Sequence, residues 1–71
     1  MVKPTRVTNT IRALRDDAGL TQAELAKRIG VTRQTLIAIE QGRYSPSLEL
    51  AFQISRECGV GLDTVFQYPE A

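Results

Sequence analysis

Apolar positions recur along this chain at helical spacing, and glycines interrupt them at short intervals. Val7, Ile11, Leu14 and Ala18 fall at i, i+4, i+7 and i+11, which is one face of an α-helix. Thr8 and Asn9 are both candidates to cap its start, and Gly19 is a natural stop. A second helix opens at "TQAE", where Thr21 and Glu24 have the spacing of a capping box; Leu25 and Ile29 share its inner face and Gly30 closes it. Thr32 caps a third, held by Leu36 and Ile39 and ended by Gly42. After the loop "RYSPS", a fourth helix has Leu48, Ala51, Phe52 and Ile54 or Ser55 on its inner side and stops before Gly59. "GLDTVFQY" is a short last helix striped by Leu62, Val65 and Phe66. The pattern predicts an all-α fold of five short helices with no central sheet. It forms a single domain over residues 1–71, without repeat or linker. "RVTNT" and "VFQY" are rich enough in β-branched and aromatic residues to pair. A frayed end is expected there, in preference to a terminal strand shared across a dimer.

The central stretch "TQAELAKRIGVTRQTLIAIEQ", Thr21 to Gln41, sets two helices against one glycine. The DNA major groove admits one helix, whose side chains can read distinct donor and acceptor patterns on the base edges. Such a helix needs an apolar inner face, a polar outer face and a second helix braced across it. Small Ala26 permits close approach, Gly30 accepts the positive φ of a sharp turn, and Val31 can plug the space behind it. With Leu36 and Ile39 inward, a rotation of about 100° per residue puts Gln34 and Gln41 opposite them and Ile37 and Ala38 on the flanks. Arg33 lies to the side in the first turn, where a long side chain still reaches a base.

These residues resemble the helix-turn-helix of the phage-repressor (Cro-like) or xenobiotic-response-element (XRE) family of transcriptional regulators. The ordered set is Gln22, Ala26, Gly30, Val31, Arg33, Gln34, Leu36, Ile39, Glu40, Gly42, Pro46 and Leu50. The match covers about residues 9–67, leaving 1–7 and 68–71 as terminal segments. The resemblance implies a compact, five-helix, lambda-repressor-like domain whose second and third helices form the helix-turn-helix. Its third helix, about residues 33–41, enters the major groove of double-stranded DNA, as a homodimer on a pseudo-palindromic operator. By position, Arg33, Gln34 and Ala38 face base edges. Gln22 holds a phosphate, and Thr21, Thr35, Gln41, Arg43 and Tyr44 add backbone contacts. Arg15 and Glu40 match a structural ion pair tying the first helix to the third. Ile37 departs from the family, which usually has a polar residue there. Contact with a thymine methyl, a partner surface and simple half-burial all stay open for it.

Charge sharpens this reading. Residues 1–48 hold eight basic and four acidic side chains, a net +4, whereas residues 49–71 hold one basic and four acidic, a net −3. That split favours a basic working face with an acidic far side. The acidic last third, with Leu62, Val65, Phe66 and Tyr68, is the candidate dimer contact. A single cysteine, Cys58, and no histidine exclude an internal disulfide and a Cys/His zinc site, and place the chain in a reducing cytoplasm. Cys58 reads as a small apolar filler in preference to a redox sensor. The start "MVKPTRVTNT" resembles neither a signal peptide nor a membrane span. No nucleophile–base pair or phosphate-cradling loop appears, so no enzyme, metal or cofactor is expected. With no evident activation surface or effector domain, a repressor is expected in preference to an activator. The length leaves no room for a ligand-sensing domain, so control is expected through its own level, a partner or Cys58. The rival is an antitoxin-like or adaptor module that uses the same fold to bind a protein.

Overall fold

A computed structural model of the chain describes residues 5–43 and 45–69. The elements run β1 (Thr8–Asn9), α1 (Ile11–Asp17), α2 (Gln22–Ile29), α3 (Arg33–Glu40), α4 (Leu48–Cys58), α5 (Leu62–Val65) and β2 (Phe66–Gln67). Among the described residues, five helices surround one core in which Ile11, Leu25, Leu36, Ile39, Ile54 and Val65 are fully buried, one or more from each helix. Leu20 and Val31 reach the same core from the two turns that flank α2.

Local chemistry sets the helix starts. Thr21 Oγ accepts from the Glu24 N–H at 3.1 Å while a Glu24 carboxylate oxygen accepts from the Thr21 N–H at 3.0 Å, a complete capping box. Thr32 and Ser47 cap α3 and α4 by accepting from the N–H groups of Thr35 and Leu50. Gly30 leaves α2 at φ 75°, and the next N–H, of Val31, bonds back to the Ala26 carbonyl at 3.0 Å. That left-handed residue turns the chain within two positions, so α3 starts beside the end of α2. Ala26 is buried where α2 packs on its neighbours, and α2 contacts both α3 and α4.

The first helix and both ends depart from the sequence reading. Val7 precedes α1 and Ala18 is its exposed C-cap, so neither extends a buried stripe. Thr10, and not Thr8 or Asn9, occupies the N-cap position, without a side-chain cap bond. Thr8 and Asn9 instead form a short antiparallel ladder with Gln67 and Phe66 of the same chain, where fraying was expected. The Thr10 N–H to Val65 carbonyl bond at 2.9 Å and the Thr10 hydroxyl to Thr64 carbonyl bond at 2.7 Å continue the junction. Phe66 therefore belongs to β2 and not to the last helix. On α4, Ala51, Ile54 and Ser55 face inward, but Leu48 and Phe52, also expected inside, are 68% and 53% exposed.

Candidate nucleic-acid interface

The site is built on α3 and braced by α1 and α2. Arg15 is 8% exposed although it is charged, and its partners account for that. Its Nε lies 3.1 Å from Glu40 Oε2, its Nη1 donates to the Leu20 carbonyl at 3.1 Å, and Asp16 stands 3.7 Å away at the rim. Both members of the Arg15–Glu40 pair are about nine-tenths buried at the side chain. Such a pair holds a position more than it adds stability, because each charge has given up its water.

Glu40 passes that constraint on. Its second oxygen, Oε1, accepts from Gln22 Nε2 at 3.4 Å, and Gln22 Oε1 accepts from Arg33 Nη2 at 3.3 Å. A continuous chain of contacts therefore runs from the buried face of α1, through the C-terminal turn of α3 and the first turn of α2, to the guanidinium that opens α3. Arg33 itself is exposed, as are Gln34 and Gln41, while Ile37 and Ala38 are half-buried. Gln34 and Gln41 lie opposite Leu36 and Ile39, Ile37 and Ala38 lie on the flanks and Arg33 lies to the side in the first turn, as the helical rotation requires. Ile37 lines an open concavity between α1, α2 and α3, together with Arg12, Gln22, Arg33, Glu40 and Gln41.

The remaining sequence-derived positions fall around this surface. Thr21 is exposed at the N-cap of α2, and Arg43 is exposed just past α3, with its N–H on the Ala38 carbonyl at 3.0 Å. Thr35 is half-buried, and its hydroxyl lies 2.9 Å from that of Thr32. Tyr44 lies outside the described residues. Of the residues assigned to the dimer contact, Val65 is corrected: it is 0% exposed in the core of a single chain and offers nothing to a partner. Leu62 and Phe66 are half-buried, and Tyr68 is exposed with the Arg6 guanidinium 5.5 Å from its ring centre.

Two residues at the site escaped the sequence reading. Asn9 Nδ2 donates to the Ile39 carbonyl at 2.9 Å and to that of Glu40 at 3.4 Å, and its Oδ1 accepts from the Ile11 N–H at 3.2 Å. It satisfies carbonyls at the open end of α3 with a donor from another element. No local signal marks such a contact across 30 positions. Arg12 is exposed at the edge of the concavity, and its place three residues before Arg15, on a shared helix face, could have identified it. Among the described residues no group of three or more His, Cys, Asp or Glu side chains could hold a metal ion. No described helix is long and apolar enough to cross a membrane.

Comparisons with known proteins bear on the family and the fold. A family model described as helix-turn-helix matches residues 11–65. An uncharacterized HTH-type transcriptional regulator of Methanothermobacter thermautotrophicus is 65% identical over 49 residues, covering 69% of this chain and 71% of that one. The uncharacterized HTH-type transcriptional regulator MJ0272 of Methanocaldococcus jannaschii is 48% identical over 62 residues, covering 87% and 94%. Repressor protein C of Rhizobium phage 16-3 is 38% identical over 55 residues, which is 78% of this chain but 20% of the phage protein. Among solved structures, the clp gene regulator ClgR of Corynebacterium glutamicum superposes with a TM-score of 0.70 at 33% identity, over 73% of this chain and 55% of that one. The match spans most of the chain and includes every residue of the α2–α3 brace. The chain belongs to the XRE-type helix-turn-helix family, whose members are DNA-binding transcriptional regulators and not enzymes.

Proposed function

We propose that this protein is a sequence-specific cytoplasmic repressor that places α3 in the major groove of a pseudo-palindromic operator as a homodimer. The observation that carries the reading is the chain of contacts from Arg15 through Glu40 and Gln22 to Arg33. A flexible arginine becomes a useful base reader when its entropy is already spent in the free protein. In this reading Arg33 takes a guanine and Gln34 an adenine, the pairings their donor and acceptor geometry favours. Ala38 lies against the bases, and Ile37 meets a thymine methyl from the concavity beside Arg33. Thr21, Gln22, Thr35, Gln41 and Arg43 hold phosphates, and Arg12 extends that set onto α1. Gln22 then has two tasks, since its amide bridges Glu40 and Arg33 while its backbone N–H faces the DNA. Leu62, Phe66 and Tyr68 stand as one candidate dimer contact.

Selection of bound duplexes from a random pool tests this directly. The expected product is a two-fold symmetric site with half-site centres about 34 Å apart. Within it, Arg33→Ala and Gln34→Ala each relax preference at one position per half-site, at a cost of about 1–3 kcal/mol. If both variants rank the selected sites as the parent does, α3 is not the reader.

A further inference from the structure

Helix α4 carries an apolar pair that is exposed among the described residues. Leu48 and Phe52, one turn apart, are 68% and 53% exposed. Rotation of about 100° per residue places Glu49 and Arg56 on one flank of Phe52, within about 20° of each other around the helix. Both are exposed, and neither has an ion-pair partner among the described residues. The opposite edge of α4 is already engaged, with Glu57 3.4 Å from Arg28 of α2.

From this we infer that the face of α4 bearing Leu48, Glu49, Phe52 and Arg56 is the contact with a second copy of the chain. The inference rests on the homodimer of the proposed function and names its surface and register. Two α4 helices packed antiparallel about a two-fold axis level with the Phe52–Gln53 peptide bring together residues whose numbers add to 105. Glu49 of each copy then faces Arg56 of the other, so one geometry makes two identical ion pairs. Side chains on the same flank stay on the same flank under such an axis, which is the condition this pairing needs. The Phe52 rings meet at the centre, with Leu48 beside them. An aromatic centre and a charged rim are the usual anatomy of a specific interface. In a parallel arrangement the two-fold axis runs along the helices and puts the two Glu49–Arg56 flanks on opposite sides of the seam, where no such pair forms, so the shared flank selects the antiparallel one. A helix of 11 residues presents less than the roughly 800 Å² per partner of a standard interface, so the free dimer is reversible.

Sedimentation equilibrium of the full chain without DNA, over a range of protein concentrations, tests this through charge reversal. Glu49→Arg and Arg56→Glu each set two like-charged pairs across the interface. Each is expected to weaken self-association about tenfold or more. The double variant E49R/R56E restores both pairs with reversed sign and returns the dimer to within about threefold of the parent. Phe52→Ala weakens it without rescue by either charge change. All four side chains are exposed, so unchanged circular dichroism and thermal midpoint separate lost contact from lost fold. A parent that stays monomeric, single reversals without effect, or a double variant no better than the singles overturns the inference. So does dissociation by Tyr68→Ala alone, which moves the contact to the chain termini. Duplex binding is measured on the same preparations. A parent that selects a site yet ignores the α4 changes loses this interface only, whereas one that selects no site loses the proposed function.

Discussion

Arg15 and Glu40 show how one buried pair can serve a distant surface. Each relies on the other for the charge that water no longer screens, so Glu40→Ala strands a guanidinium in the core. A loss of about 3–5 kcal/mol is expected, against a much smaller loss for the paired replacement of Arg15 by Met and Glu40 by Leu; urea unfolding of the three variants measures both. The paired replacement also frees Gln22 from Glu40. It should therefore keep the fold while lowering specificity at the Arg33 position. At Gly30 the cost has a different origin. Nothing lies within 4 Å of a Cβ built there, yet φ is 75°. Gly30→Ala thus loses about 1–2 kcal/mol from backbone strain alone, and Gly30→Asn loses less. At Glu24, hydrogen bonds from the Thr21 backbone N–H, then from its side chain, hold the carboxyl below its ordinary value, with a smaller contribution from Arg28. A carboxylate lowered on folding stabilises above its unfolded pKa, and that contribution fades as pH falls through the lower folded value. Acid titration of stability should therefore be shallower in Glu24→Gln. Cys58 moves the other way: burial, then the neighbouring Glu57 charge, raises its pKa. Less thiolate at neutral pH means that alkylation of the folded chain should be slower than in urea, which argues against a redox sensor.

At the scale of elements, what was legible in the sequence was what is decided locally. The Thr21–Glu24 box, the Thr32 cap and the Gly30 turn are each made by residues a few positions apart, so α2, α3 and their junction follow from spacing. Arg15 and Glu40 came by resemblance and not from spacing, since nothing near either residue names its partner. The β1–β2 ladder joins Thr8 to Gln67 across almost the whole chain, and two residues per strand give no alternation to read. On α4 the apolar residues cover an arc of about 200°, wider than the helix can bury against this core. Periodicity fixed the arc but not which edge is covered, and so Leu48 and Phe52 were expected inside. Asn9 belongs to the illegible class and carries a prediction of its own. Its amide donates to two carbonyls at the end of α3, where the helix dipole is negative. Asn9→Asp removes the donor and adds a negative charge at that end, so it should cost more than Asn9→Ala, about 2 kcal/mol or more. Amide hydrogen exchange should show the added opening concentrated in the last turn of α3.

The whole molecule has a basic first two-thirds and an acidic last third on one core, and a charged duplex should distinguish the two. Each phosphate neutralised by a lysine or arginine releases counterions, and contributes about 0.9 to the slope of log affinity against log salt. Arg12 and Arg43 flank α3, one at the edge of the concavity and one just past the helix end. Arg56 lies on α4, where the proposed second copy covers it. The proposed docking therefore makes an ordered prediction for three substitutions that each remove one positive charge from an exposed position. Arg43→Ala and Arg12→Ala should each lower the salt slope by about one unit and weaken selected and random duplexes alike. Arg56→Ala should leave the slope per protomer unchanged and act only through the monomer–dimer balance, vanishing at protein concentrations that saturate the dimer. Fluorescence anisotropy titrations at four or five salt concentrations separate these outcomes. Equal slopes for all three variants would mean that net charge, and not the placement of α3, governs binding. A lowered slope for Arg43→Ala with none for Arg12→Ala would confine the footprint to the helix-turn-helix and leave α1 as a brace.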